Sequence, residues 1–88
     1  MKIEVLLSTM HQIDKNIIEE CNINSDVVVI NQCENNSEEE FKFKEKYRCK
    51  WINSRDRGLS NSRNLAMTNA QGDICLLCDE DVVYKDNY

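Results

Sequence analysis

Short apolar runs punctuated by polar residues set the frame of this chain. Ile3-Glu4-Val5-Leu6-Leu7 is an aliphatic run closed by Ser8-Thr9, and it predicts a buried strand almost at the N-terminus. Asp26-Val27-Val28-Val29-Ile30 is β-branched and too continuous for a half-exposed face. It predicts a central parallel strand covered on both sides, stopping at Asn31-Gln32. Between these runs Ile13, Ile17, Ile18 and Cys21 recur at the spacing of an amphipathic helix, which Asn22 to Ser25 end. Further on, Arg57-Gly58 makes a turn, Ser60 is the predicted N-cap, and Leu65, Ala66, Met67 and Ala70 continue a helix that Gly72 stops. Ile74-Cys75-Leu76-Leu77-Cys78 then predicts another buried strand, delivering Asp79-Glu80-Asp81 at its carboxyl end.

The stretch from Glu34 to Lys46 reads two ways. Ser37 followed by Glu40 fits a capping box opening a short helix. Phe41, Phe43, Tyr47, Cys49 and Trp51 alternate with mostly charged residues, and this favours a strand or irregular hairpin leading into a strand at Lys50 to Asn53. The fold class that follows is α/β, an open, mainly parallel sheet flanked by helices. In such sheets ligands gather beyond the carboxyl ends of the strands. Here those ends are Ser8-Thr9, Asn31-Gln32, Asn53-Ser54 and Asp79-Glu80-Asp81, so one end of the sheet is lined with polar groups.

Composition narrows the picture further. The 88 residues are 41% apolar and 31% charged, with no Pro and two Gly, an ordinary globular balance that excludes wholesale disorder. The apolar run at Ile3 to Leu7 is far shorter than the roughly 20 residues of a membrane-spanning helix, and no small-residue cleavage site follows it. Five cysteines cannot all pair, which argues for a reducing compartment and a cytoplasmic chain. A formal charge of −5 speaks against a general nucleic-acid binder. Charge is nevertheless uneven, with basic residues concentrated between Lys42 and Arg63 and acids at Glu38 to Glu40 and Asp79 to Asp81.

Two segments carry candidate chemistry. Asp79 and Asp81, one residue apart just past a buried strand, suit a hard divalent cation, Mn²⁺ or Mg²⁺, bridging a diphosphate leaving group. On residue type alone the triplet reads first as a solvated turn; the strand before it and the basic segment available to meet phosphate raise the metal reading. Arg57-Gly58-Leu59-Ser60-Asn61-Ser62-Arg63-Asn64 gathers guanidinium groups and amides around a helix start, apt for phosphate, with a capped surface helix as the plain alternative. No Walker lysine motif and no Gly-x-Gly-x-x-Gly is present. Cys75-x-x-Cys78 has zinc half-site spacing, but in a strand the two thiols point to opposite faces and no second Cys pair matches. His11 reads as a surface residue at the end of the first strand, and Trp51, Phe41 and Phe43 as core.

Taken in order, Arg57-Gly58-Leu59-Ser60-Asn61-Ser62-Arg63-Asn64-Leu65-Ala66, Asn69-Ala70-Gln71-Gly72-Asp73-Ile74 and Asp79-Glu80-Asp81-Val82 resemble the family 2 glycosyltransferases of GT-A fold. The likeness extends over essentially the whole chain. It implies that residues 1–88 are one domain, the Rossmann-like nucleotide-sugar-binding half of a sugar transferase, with the acceptor-binding half absent. It further implies a UDP-sugar donor with Mn²⁺ or Mg²⁺, an acceptor glycan or lipid-linked sugar in the full enzyme, and polysaccharide assembly at the inner face of a membrane. Carried onto this sequence, Asp79 and Asp81 become the outer members of an Asp-x-Asp motif holding metal. Ser8 and Thr9 border the nucleotide base, Arg57, Arg63 and Asn64 lie near the donor, and contacts that the family makes with acids after its second strand fall to the amides of Asn31 and Gln32. The base that activates the acceptor is expected outside residues 1–88, so these residues alone are expected to transfer no sugar. Two other readings are a nucleotidyltransferase-like domain using similar carboxylates, and a non-catalytic module forming a homodimer through an exposed sheet edge.

Overall fold

The computed structural model describes residues 2–79. They form β1 (Ile3–Met10), α1 (Ile17–Glu20), β2 (Asp26–Gln32), β3 (Ser37–Phe43), β4 (Tyr47–Ser54), α2 (Leu59–Thr68) and β5 (Ile74–Asp79). The five strands make one sheet in the order β3-β4-β2-β1-β5. All neighbours are parallel except β3, which runs antiparallel to β4. The open, mainly parallel α/β sheet expected from the apolar runs is therefore present. No helix among the described residues is long and apolar enough to cross a membrane.

Alternation along the strands divides the core into two layers. Val5, Leu7, Val27, Val29, Cys49, Trp51 and Cys78 face Ile17, Ile18, Cys21 and Ile23 on the α1 side. Leu6, Val28, Ile30 and Ile52 face Ala66 of α2 on the other. Each large aliphatic side chain so buried contributes about 1.5–3 kcal/mol relative to exposure. Burial also pushes the Cys49 thiol up to about 12, so it behaves as a small apolar side chain.

Several local expectations are corrected. The helix after β1 is a single turn, and Ile13 lies 98% exposed in the loop before it. That loop is held in other ways: His11 takes a φ of 55° and donates its N–H to the Gln32 carbonyl, and the Asp14 carboxylate accepts the Asn16 N–H. The segment from Ser37 is a strand, and with β4 it forms a hairpin. Lys44 and Glu45 both have positive φ, 52° and 64°, the pair of left-handed residues that a type I′ turn requires. Ser60 sits inside α2, not at its cap; the N-cap is Gly58, whose φ of 98° is open to glycine. Lastly, where the apolar run predicts a buried strand, β5 stands at the sheet edge among the described residues, with Leu77 51% exposed.

Three acidic side chains brace the amino ends of the strands. Glu4, buried, accepts the N–H groups of Gln71 (2.7 Å) and Gly72 (3.1 Å). A Cβ on Gly72 would stand 2.6 Å from Cβ of Glu4, so the joint between α2 and β5 needs glycine. Asp73 completes it, exchanging main-chain and carboxylate hydrogen bonds with Lys2 at 2.8 and 2.9 Å. Asp26 accepts the Arg48 N–H (2.9 Å) and pairs with Lys2 Nζ (3.1 Å). Partial burial works to raise its pKa, but these two partners outweigh it and hold the carboxyl below its ordinary value.

Candidate functional site

Where β1, β2 and β5 end, a cleft of about 350 Å³ opens on the α2 side, lined by Ser8, Thr9, Met10, Gln32, Gly58, Leu59, Ser62 and Asp79. Register explains the grouping. Ser8 stands opposite Asp79 and, on its other side, Ile30, so Ser8, Asp79 and Gln32 fall on the face that carries α2. Ser62 lies four residues before Ala66 and shares its buried stripe. Its hydroxyl donates to Ser8 Oγ at 2.8 Å, a buried bond that ties the helix to β1. A second bond ties it to β2: Gln32 Nε2 donates to the Gly58 carbonyl at 2.9 Å, which also receives the Ser62 N–H at 3.1 Å. The first turn of α2 is thus pinned over two strand ends, with Gly58 and Leu59 at the cleft.

Among the described residues the cleft holds a single carboxylate, Asp79, beside neutral polar groups. Asp79 is half-exposed, and the Arg63 guanidinium approaches its Oδ2 at 3.6 Å from the second turn of α2. Gln32 is only 4% exposed and presents an amide where an acid would add negative charge. The arrangement offers a ligand several hydrogen-bonding atoms and one carboxylate shared with a guanidinium.

Of the residues expected at the site, the structure brings together Ser8, Thr9, Gln32, Arg63 and Asp79. Asn31 turns to the α1 side. There it accepts the Gln12 N–H (3.0 Å) and donates to the Gln12 carbonyl (3.0 Å) and to Asn53 Oδ1 (2.9 Å), which also receives the Trp51 indole N–H (3.0 Å). Arg57 folds back on the 54–56 loop, donating to the carbonyls of Arg55 (2.8 Å) and Asp56 (3.2 Å) and pairing with Glu34 at 3.1 Å. Asn64 is exposed on α2, away from the cleft lining. Asp81 lies outside the described residues. Met10, Gly58, Leu59 and Ser62 complete the lining without belonging to the expected set. For Ser62 a signal existed in the spacing Gly58, Ser62, Ala66, one small residue per helical turn.

On the α1 face a second hollow, about 420 Å³, lies among His11, Gln12, Lys15, Glu34, Trp51 and Asn53. Its floor is closed by the Asn31–Asn53–Trp51 bonds, and Lys15 Nζ lies 5.0 Å from the Trp51 ring centre. None of the five cysteines forms a disulfide; Cys75 is exposed and Cys78 buried, as opposite strand faces require.

No curated protein and no solved structure matches the chain. The family model for glycosyl transferase family 2 does, over residues 3–88, and the strand order and polar carboxyl-end cleft agree with a Rossmann-like N-terminal part of that fold. The chain belongs to glycosyl transferase family 2 and is of the glycosyltransferase class.

Proposed function

We propose that the cleft between β1, β2, β5 and the start of α2 binds the nucleotide-sugar donor, a UDP-sugar, for transfer to an acceptor glycan or lipid-linked sugar. The observation that carries this reading is the convergence of Ser8, Gln32, Ser62 and Asp79 at the carboxyl ends of parallel strands, beneath a helix N-terminus. Hydroxyl and amide groups at Ser8, Ser62 and Gln32 offer neutral hydrogen bonds to the nucleoside. The α2 amides and Arg63 face the diphosphate.

The donor set also suits a hard cation, Mn²⁺ or Mg²⁺. Asp79 supplies a carboxylate beside a serine hydroxyl, the oxygen ligands such ions take. Among the described residues no three His, Cys, Asp or Glu side chains gather, so Asp81 and the donor's own phosphates would complete the shell. A cation held there would neutralise charge on the leaving diphosphate. Arg63, now 3.6 Å from Asp79, would be free to turn to a phosphate once the carboxylate engages metal. The base for the acceptor hydroxyl lies outside residues 1–88 on this reading. The 88-residue chain alone therefore binds donor and transfers nothing, and acceptor-dependent transfer by it would overturn that statement. Five cysteines without a disulfide accord with chemistry on the cytoplasmic side.

The test is a titration of the isotopically labelled chain with Mn²⁺ and then UDP, followed by amide resonances. Expected are saturable broadening around Asp79 and UDP shifts at Ser8, Gln32, Gly58 and Ser62, with UDP affinity about tenfold or more weaker in Asp79→Asn. A folded chain that ignores millimolar UDP, or a response that Asp79→Asn leaves intact, sinks the assignment.

A further inference from the structure

The outer edge of β3 carries a self-complementary run of charge. This strand closes the sheet at the end opposite β5 and pairs with β4 alone, leaving its other row of main-chain donors and acceptors open among the described residues. Its residues are Glu38-Glu39-Glu40-Phe41-Lys42-Phe43, followed by Lys44 in the turn. Acids precede Phe41 and bases follow it.

Most of these charges are used within the chain. Glu38 meets Lys50 at 3.9 Å, Glu39 meets Lys15 at 2.6 Å, and Lys44 donates to the Ile23 carbonyl at 3.2 Å and to the Asn24 side chain. Glu40 and Lys42 are not. Among the described residues neither enters an ion pair: Glu40 stands opposite Lys50, whose ammonium turns to Glu38, and Lys42 stands opposite Arg48, a charge of its own sign. Both are exposed, on the α2 face of the sheet, while Phe41 stands opposite Cys49 on the other face and is half-buried.

We propose that β3 is a self-association edge, joining two copies of this chain antiparallel about Phe41. That register sets Glu40 against Lys42 of the second copy, and Lys42 against its Glu40, so both unpartnered charges gain partners twice over. On the opposite face the two Phe41 rings meet at the two-fold axis, flanked by Phe43. A parallel, in-register pairing would set Glu against Glu and Lys against Lys, and cross-strand like charges are repulsive. The charge order therefore selects both the partner and its direction. The result is one sheet continuous across two copies, with the α2-side cleft, at β2, β1 and β5, left open. Nothing in this assignment depends on what the cleft binds.

Sedimentation of the chain across the micromolar to millimolar range is the test. The mass is expected to rise from monomer to dimer, and added salt to weaken the dimer, because exposed pairs are screened. Glu40→Lys alone, or Lys42→Glu alone, places like charges opposite each other twice per dimer and raises the dissociation constant about tenfold or more. The double variant Glu40→Lys/Lys42→Glu restores opposite signs and recovers the parent affinity. Retained near-ultraviolet dichroism of Trp51 verifies folding, and the salt series needs no variant at all. A chain that stays monomeric at millimolar concentration overturns the proposal, as does a dimer that salt strengthens or one that single reversals leave unchanged. Failure of the double variant to recover does the same.

Discussion

On the α2 side of the sheet, Ser8, Gln32 and Asp79 end their strands facing a cleft; on the α1 side the neighbouring Asn31 and Asn53, with Gln12 and Trp51, end theirs in a closed set of hydrogen bonds. One step along a strand separates the two sets, since side chains alternate between faces. The same polar composition therefore serves two tasks. Asn31 spends its hydrogen-bonding capacity on Gln12 of the loop after β1 and on Asn53, and Asn53 in turn holds Trp51 and Ser37, fixing the backbone from which Ser8 and Gln32 project. The front spends one bond at Ser8 and one at Gln32 on pinning α2, and on that rigid frame Asp79 is held half-exposed at the cleft.

The sharpest way to break this contrast is at Asn31. Asn31→Ala removes three hydrogen bonds and leaves the part-buried main-chain groups of Gln12 without their partner, so it is expected to cost about 2–4 kcal/mol in urea denaturation. A loss below about 1 kcal/mol would mean the α1-side bonds are not structural. On the cleft side the expected effect is smaller. Ser8→Ala and Ser62→Ala each leave the other hydroxyl buried without its partner and cost about 1–2 kcal/mol, whereas the double variant costs less than the sum of the two. Additive losses would show that the 2.8 Å bond is energetically idle.

The smallest expected effect lies at the amino ends of the strands and shows only as a pH dependence. Asp26 has a folded pKa held below its ordinary value, so the unfolded chain takes up its proton first as pH falls. Its stabilisation is complete above about pH 4 and is lost as pH falls further, through the folded value. Denaturation midpoints followed from neutral to acid pH should therefore drop less steeply in Asp26→Asn than in the parent. Parallel curves would assign acid sensitivity elsewhere.

How much of this was legible in the sequence differs by element. β1 and β2 were, because continuous β-branched runs have few other ways to be buried. The hairpin was half legible: alternation gave β3 and β4, but the turn takes Lys44-Glu45 into left-handed conformations that usually announce themselves through Asn or Gly. α1 misled, since Ile13 continues the helical spacing yet His11 and the Asp14–Asn16 bond divert the chain before a helix starts. At the site, strand-end residues could be named, but not which face each one took. That depends on register, a long-range property, and it separated Gln32 from Asn31. Arg57 went astray for a local reason, because three nearby carbonyls and Glu34 offer its guanidinium partners closer than any ligand.

Gly72 acts as the zero mark of a ruler. It is wedged against Glu4 with no room for a side chain, and Asp73 is fastened to Lys2, so the count of residues from this point along β5 decides what arrives opposite Ser8. Seven positions on, it is Asp79. Lengthening that interval by one residue would carry the carboxylate past the mark and bring Cys78, a thiol, to the mouth of the cleft. The chemistry offered at one end of the sheet is thus set by a measurement begun at the other.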